Sequence, residues 1–182
     1  HASTPPSTRQ PRPHPSPGSN DAPVIPIGDV TGDSTETNTT LTDSGTLTVS
    51  DVDTTDLVTA TVDSVASSGN TSAAPDNATL LAMLTVSPAA ILDGTENSDT
   101  LTWTFNSGAE AFDYLATGET LVLAYTVTAT DDDGTPASDS ETVTITITGS
   151  NDAPVITIGD VTGDITETNT TLTASGTLTV RD

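Results

Sequence analysis

Carboxylates dominate the side chains that could do chemistry in this sequence, and their spacing suits the ligation of hard cations. Asp51-Val52-Asp53 sets two acids two residues apart, so in extended backbone both point the same way. Asp131-Asp132-Asp133, followed by Gly134, makes a tight acidic turn that can offer both side-chain and backbone oxygens. Asn20-Asp21 recurs as Asn151-Asp152, and Glu36 lies close behind the first of these pairs. Ca²⁺ takes about six to eight oxygen ligands in flexible geometry, whereas Mg²⁺ demands a stricter octahedron, so calcium is the better match. The candidate metal ligands are Asn20, Asp21, Glu36, Asp51, Asp53, Asp131, Asp133, Asn151 and Asp152. The plain alternative is that Asp and Asn are ordinary loop formers, some of them only capping turns.

What the sequence lacks narrows the chemistry further. The chain holds 26 acidic residues against 3 basic ones, a net charge of -23, and no Lys. Between Asn20 and Ser150 there are 21 acids and no Lys or Arg, so no side-chain salt bridge to those residues can form within that span. Such a field has the wrong sign for nucleic acid or for a polybasic membrane contact. No apolar run approaches the roughly eighteen residues of a membrane span. Without Cys there are no disulfides, thiolate nucleophiles or cysteine zinc sites. His1 and His14, the two histidines, stand isolated in the Pro/Ser-rich head, so no Ser-His pair is in prospect. Catalytic residues are expected to be absent. Paired acids could in principle cleave glycosides, but the single Trp needed to stack a sugar reads as core.

The elements that must position these acids follow from repetition and period. Gly18 to Asp51 and Gly149 to Asp182 are identical at 30 of 34 positions, differing at Pro26/Thr157, Ser34/Ile165, Asp43/Ala174 and Ser50/Arg181. This predicts a linker over 1–19, one complete repeat over 20–150, and the first two strands of another repeat over 151–182. Thr alternates with Val, Leu and Ile, the period of strands with one buried face. Strands are expected over about 23–31, 41–50, 57–65, 79–87, 101–105, 121–129 and 141–148. Trp103 reads as the core anchor, and Tyr125 as a core tyrosine whose hydroxyl reaches backbone near a corner. The run Phe112 to Glu119 reads as a short helical turn plugging one end. About seven strands in this length predict an all-β, immunoglobulin-like Greek-key sandwich. Its strand order sends the acids to opposite ends. Asn20, Asp21, Asp51, Asp53, Asp56, Asp93, Glu96, Asp99 and Asp131 to Asp133 fall at the first. Asp33, Glu36, Glu110, Asp113, Glu119, Asn151 and Asp152 fall at the second.

The run NDAPVI, the block VTGD-x-TE-x-N-x-x-LT-x-SGTLTV-x-D, and FDYLATGETLVLAYTVTATDDDG followed by ETVTITITGSNDAP resemble the VCBS repeat. The resemblance covers 20–150 and resumes through 182. The Asn-Asp-Ala-Pro linker is similar to the calcium linker of cadherins, with Glu36, Asp51-Val52-Asp53 and Asn151-Asp152 in the places of their ligands. It implies an extracellular extender repeat, stiffened by Ca²⁺, of a large secreted bacterial adhesin of the RTX type, acting in adhesion and biofilm formation. Its partners would be neighbouring repeats of the same polypeptide and a surface ligand of the parent protein. Separately, the close match of 152–182 to 21–51 sets up an expectation that it displaces that segment in its own domain or, by strand swapping, in a second copy. The unit is long for the family, with the excess expected in 66–78 and 88–99, and no RTX nonapeptide occurs. The alternative is an adhesive module that binds carbohydrate, ice or protein through Thr-rich faces or the 66–78 segment.

Overall fold

The computed structural model describes residues 19–26 and 28–181. The linker expected over 1–19 therefore lies, but for Ser19, outside the described residues. Among the described residues the fold is all-β apart from one short helix: a mostly antiparallel sandwich. Its larger sheet contains β1 (Thr31–Thr35), β3 (Leu57–Gly69), β5 (Ala90–Asp93), β7 (Thr120–Thr130) and β8 (Ser138–Thr148), in the order β1-β8-β7-β3-β5. The smaller sheet contains β2 (Thr42–Ser50), β4 (Leu84–Ser87) and β6 (Ser98–Asn106), in the order β2-β6-β4.

The Thr/apolar alternation decides which faces meet. Leu121, Leu123, Tyr125, Val127 and Ala129 of β7 are fully buried, as are Val143, Ile145 and Ile147 of β8. Register sets Tyr125 opposite Val143 and Leu123 opposite Ile145, so one stripe spans both strands. From the other sheet come Leu47 and Val49 of β2 and Leu101, Trp103 and Phe105 of β6, all fully buried. Phe105 and Tyr125 meet across the layers with ring centroids 6.5 Å apart. Trp103 donates from Nε1 to the carbonyl of Asp29 at 2.6 Å, and the Tyr125 hydroxyl donates to that of Leu80 at 2.9 Å. Both aromatics take the roles their apolar periods predict, each with its polar atom satisfied.

The N-terminal segment ties the sheets together. Val24 exchanges two backbone hydrogen bonds with Ser50 of β2, at 2.8 and 3.0 Å. Seven residues on, Thr31 lies beside Thr144 of β8, and β1 then runs parallel to β8. The strand expected over 23–31 is therefore a single bridge at Val24 followed by a later strand, Thr31–Thr35.

Three other expectations are corrected. Residues 79–87 do not form one strand: α1 (Asn77–Leu81) precedes β4. Asp76 caps α1, its carboxylate accepting from the Thr79 amide at 2.8 Å, and that hydrogen bond holds its carboxyl below the ordinary range. Leu80 of α1 is fully buried. Secondly, the segments read as excess are partly strand. β3 continues to Gly69, paired with Leu121, while β5 occupies Ala90–Asp93 and brings the sandwich to eight strands. Finally, the plug over 112–119 is built of turns rather than helix, with Phe112 at φ 64°. Phe112 and Leu115 are nevertheless buried, as a plug requires.

Beyond β8, β9 (Val155–Thr157) and β10 (Thr179–Arg181) form an antiparallel pair. Their register repeats the first copy. Val155 pairs with Arg181 as Val24 pairs with Ser50, and Asp160 donates to Thr177 as Asp29 donates to Thr46.

Trp103 is the only tryptophan and so reports on its own packing. A Cβ at Gly45 would lie 2.6 Å from its indole. Gly45→Ala is expected to destabilise the fold by about 1–3 kcal/mol through overpacking, read as a lowered denaturation midpoint in Trp fluorescence.

Candidate metal centres

Loops of the sandwich gather carboxylates at both ends, as the strand order requires. At the first end, the turn after β2 carries Asp51, Asp53 and Asp56, and the β7–β8 turn carries Asp131 to Asp133. Oxygens of Asp51, Asp56 and Asp131 lie within 4.8 Å of one another, and all three residues are buried. The backbone folds sharply here, with the Asp56 amide donating to the Asp53 carbonyl at 3.0 Å. That turn places Asp56 beside Asp51, although the two are five residues apart in sequence.

Most acids at this end find backbone donors. Asp53 Oδ2 accepts from the Asp21 amide at 2.8 Å, and Asp51 Oδ1 accepts from the Asp53 amide at 2.9 Å. Asp131 Oδ1 accepts from Ala137 at 3.0 Å, and Asp132 Oδ1 from Leu57 at 2.9 Å. Among the described residues at this end, two buried carboxylate oxygens are left without a partner, Asp51 Oδ2 and Asp56 Oδ2. Asn20 reaches Asp131 Oδ2 through its amide nitrogen at 3.2 Å, and its own Oδ1 is buried and unpartnered. Burial first, then the charges of Asp133, Asp53, Asp51 and Asp131, push the Asp56 carboxyl above the ordinary aspartate value. A buried carboxylate oxygen with neither hydrogen bond nor counter-charge is costly. A hard cation would supply both the missing contact and the charge.

At the second end, Glu36, Asp113 and Asp152 bring their oxygens within 4.8 Å of one another. Glu36 follows β1 and is fully buried. Its Oε2 accepts from the amide and hydroxyl of Ser150, both at 3.1 Å, while Oε1 has no partner. Asp113 comes from the plug between β6 and β7, and Asp152 from the segment leaving β8. Two other acids at this end serve the fold. Glu110 accepts from the Phe112 amide at 3.1 Å, and Glu119 from Asn70 at 2.6 Å and Ala116 at 3.1 Å.

Of the residues expected to ligate, the structure brings together Asp51 and Asp131, with Asn20 beside them, and separately Glu36 and Asp152. Asp53 and Asp133 lie at the margin of the first cluster. Asp21 meets Asp53 through its amide, and Asn151 turns its side chain to the carbonyl of Asp152 at 3.0 Å. Two residues complete the clusters without having been singled out as ligands: Asp56 and Asp113. The strand order alone places each of them at its observed end. Each cluster holds at least one orphaned buried carboxylate oxygen, which fits a hard divalent cation; the first is buried throughout, while in the second Glu36 is buried, Asp152 half-buried and Asp113 exposed. Trp103 is wholly enclosed, and Tyr114 is half-buried with its hydroxyl on the Asn70 carbonyl at 3.2 Å, so sugar stacking finds no support in either.

No family model matches the chain, and no curated protein matches it. Among solved structures it is similar to PapD-like domain 7 of human CEP192, with a TM-score of 0.45 at 13% identity, covering 81% of this chain and 97% of that one. It is also similar to AggA, the major subunit of aggregative adherence fimbriae type I from Escherichia coli. There the TM-score is 0.39 at 13% identity, covering 72% of this chain and 98% of that one. Similarities this distant carry no functional argument.

The raised Asp56 carboxyl makes the metal-free fold pH-dependent. The folded state binds that proton more tightly than the unfolded chain, so its contribution to stability is fully present below the ordinary value of 3.8 and is lost as pH rises through the folded value. The lowered carboxyls of Asp63, Asp76 and Asp93 act in the opposite sense, so the test is the difference between the metal-free protein and its Asp56→Asn variant. Chemical denaturation of both should show the unsubstituted protein losing stability relative to the variant as pH rises.

Proposed function

We propose that the chain is a calcium-stiffened extender repeat of a large bacterial cell-surface adhesin, with a structural and non-catalytic role. The observation that carries the reading is the presence, at each end of the sandwich, of a carboxylate cluster with buried unpartnered oxygen, two atoms at the first end and one at the second, in a span with no Lys or Arg. The resemblance of 20–150 to the VCBS repeat supports it, and with it an immunoglobulin- and cadherin-like Greek-key unit, tandem arrangement and extracellular location.

The two clusters would do different work. Ca²⁺ on Asp51, Asp56 and Asp131 would staple the turn after β2 to the β7–β8 turn within one body. On Glu36, Asp113 and Asp152 it would fasten the segment leaving β8 to the body it leaves, fixing the direction in which a neighbouring repeat projects. The ion would supply positive charge for the orphaned oxygens. The residues would supply the oxygen donors, buried throughout in the first cluster and only at Glu36 in the second.

Calorimetric titration of the chelated chain with Ca²⁺ should give heat from two sites. At a free concentration one hundred times the dissociation constant, each site should add about 2.7 kcal/mol to stability by mass action. Asp51→Asn with Asp56→Asn should remove one site and leave the other, and Glu36→Gln should do the reverse. Absence of both heat and a melting shift at millimolar calcium would overturn the reading.

A further inference from the structure

The sequence holds two Asp-Gly steps, Asp93-Gly94 and Asp133-Gly134, and no Asn-Gly step. Such a step carries a reaction of its own, because glycine has no Cβ to keep its nitrogen from the preceding side-chain carboxyl. The Gly nitrogen attacks the Asp Cγ, an N–C bond forms, and one carboxyl oxygen leaves as water with the carboxyl and amide protons. Water then adds at the main-chain carbonyl of the Asp residue in the cyclic imide, and the bond from that carbon to the Gly nitrogen breaks. The chain now runs through the side chain as isoaspartate, one main-chain atom longer, with its mass unchanged and nothing oxidised or reduced. Two steps of the same type let the fold decide which reacts, since intramolecular attack needs a backbone able to bring the two atoms into contact.

The fold restrains the first step. Asp93 ends β5 and pairs with Leu57 of β3. Its Oδ1 accepts from the Thr95 amide at 3.0 Å and from the Thr95 hydroxyl at 2.6 Å, and its own amide donates to Glu96 Oε1 at 3.3 Å. Gly94 is half-buried at φ 81°, and a Cβ there would lie 3.0 Å from the Thr55 carbonyl oxygen. Turning the carboxyl onto the Gly94 nitrogen gives up both bonds to Thr95, in a backbone held on either side.

The second step lacks these restraints. Asp133 and Gly134 lie in the β7–β8 turn, both exposed and outside any strand. Among the described residues, the one hydrogen bond of Asp133 runs from its amide to Asp131 Oδ1 at 3.4 Å, and its carboxylate accepts none. A Cβ at Gly134 would meet nothing within 4 Å, and its φ is not positive, so neither space nor backbone conformation requires glycine there. The turn is tied at its base instead: the Asp131 amide donates to the Ala137 carbonyl at 3.1 Å, and the Ala137 amide to Asp131 Oδ1 at 3.0 Å. We infer that Asp133-Gly134 is a self-modification site that isomerises to isoaspartate in the folded chain, while Asp93-Gly94 is protected. The added main-chain atom falls between Asp131 and Ala137, so the modification reshapes the turn that presents Asp131 to the first cluster.

The test incubates the folded chain for weeks near neutral pH, in chelator so that no cation engages Asp133. Isoaspartate is then measured with a protein isoaspartyl methyltransferase and a labelled methyl donor, and located by peptide mapping with electron-transfer fragmentation. The expected signal at Asp133 is at least several-fold above that at Asp93, and the difference disappears when the chain is kept unfolded in denaturant. Gly134→Ala, for which the turn has room, should lower the signal at Asp133 several-fold and leave the denaturation midpoint unchanged. Equal labelling of the two steps in the folded chain would overturn the proposal. So would a difference that persists in denaturant, a larger signal at any other Asp or Asn, or a signal at Asp133 no greater than in Gly134→Ala.

Discussion

A carboxylate with no basic side chain nearby can be satisfied only by a hydrogen-bond donor, water or a cation, and this constraint arranges much of the molecule. The sheets offer few donors, because their backbone amides are committed to ladders. Turns and sheet margins offer many. Asp53 takes the Asp21 amide, Asp131 that of Ala137, Asp132 that of Leu57, and Asp139 that of Ile25. Away from the two clusters, Asp76 caps a helix, and Asp93 takes the amide and hydroxyl of Thr95, which hold its carboxyl below the ordinary range. The supply then runs out. The buried carboxylate oxygens left over belong to Asp51, Asp56 and Glu36, and each lies in a cluster of three acids. Hydrogen-bond accounting therefore separates structural acids from those still requiring a partner more sharply than proximity does.

The segment 20–36 links this electrostatic arrangement to the fold. It begins at the first end with Asn20 on Asp131, pairs with β2 at Val24, crosses to β8 at Thr31, and delivers Glu36 to the second end. One stretch of chain thus closes both sheets and contributes to both clusters. Its parallel pairing with β8 makes the chain enter at one end and leave at the other, so the long axis of the sandwich is also its direction of travel.

Legibility in the sequence tracked the regularity of the local pattern. The Thr/apolar alternation of 121–129 and 141–148 allows one reading, and both strands form with the predicted residues inward. Trp103 and Tyr125 were legible for the same reason. The run Thr79-Leu80-Leu81-Ala82-Met83-Leu84 has no such period, and a short apolar run suits a helix as well as a strand. Asp76, three residues before Thr79, was the capping signal that decides it. Ligand identity was less legible than ligand location. Asp51-Val52-Asp53 promised two side chains on one face, but the turn at Asp56 commits Asp53 to Asp21 and puts Asp56 beside Asp51. No spacing rule conveys that, because it depends on which way one tight turn closes.

The repeated Asn-Asp pair shows how the fold, the clusters and the repeat fit together. Asn20 meets Asp131 at the first end of the body that follows it. Asp152, the counterpart of Asp21, meets Glu36 and Asp113 at the second end of the body that precedes it. Adjacent side chains of an extended segment point to opposite sides, so two neighbouring residues can face two bodies. In the proposed tandem arrangement the pair would answer to both ends at once, and a change in either residue would be felt at a junction rather than within a core. That double constraint would give a physical reason for the linker to recur unchanged while Ser34, Asp43 and Ser50, on the strands beyond it, differ between copies.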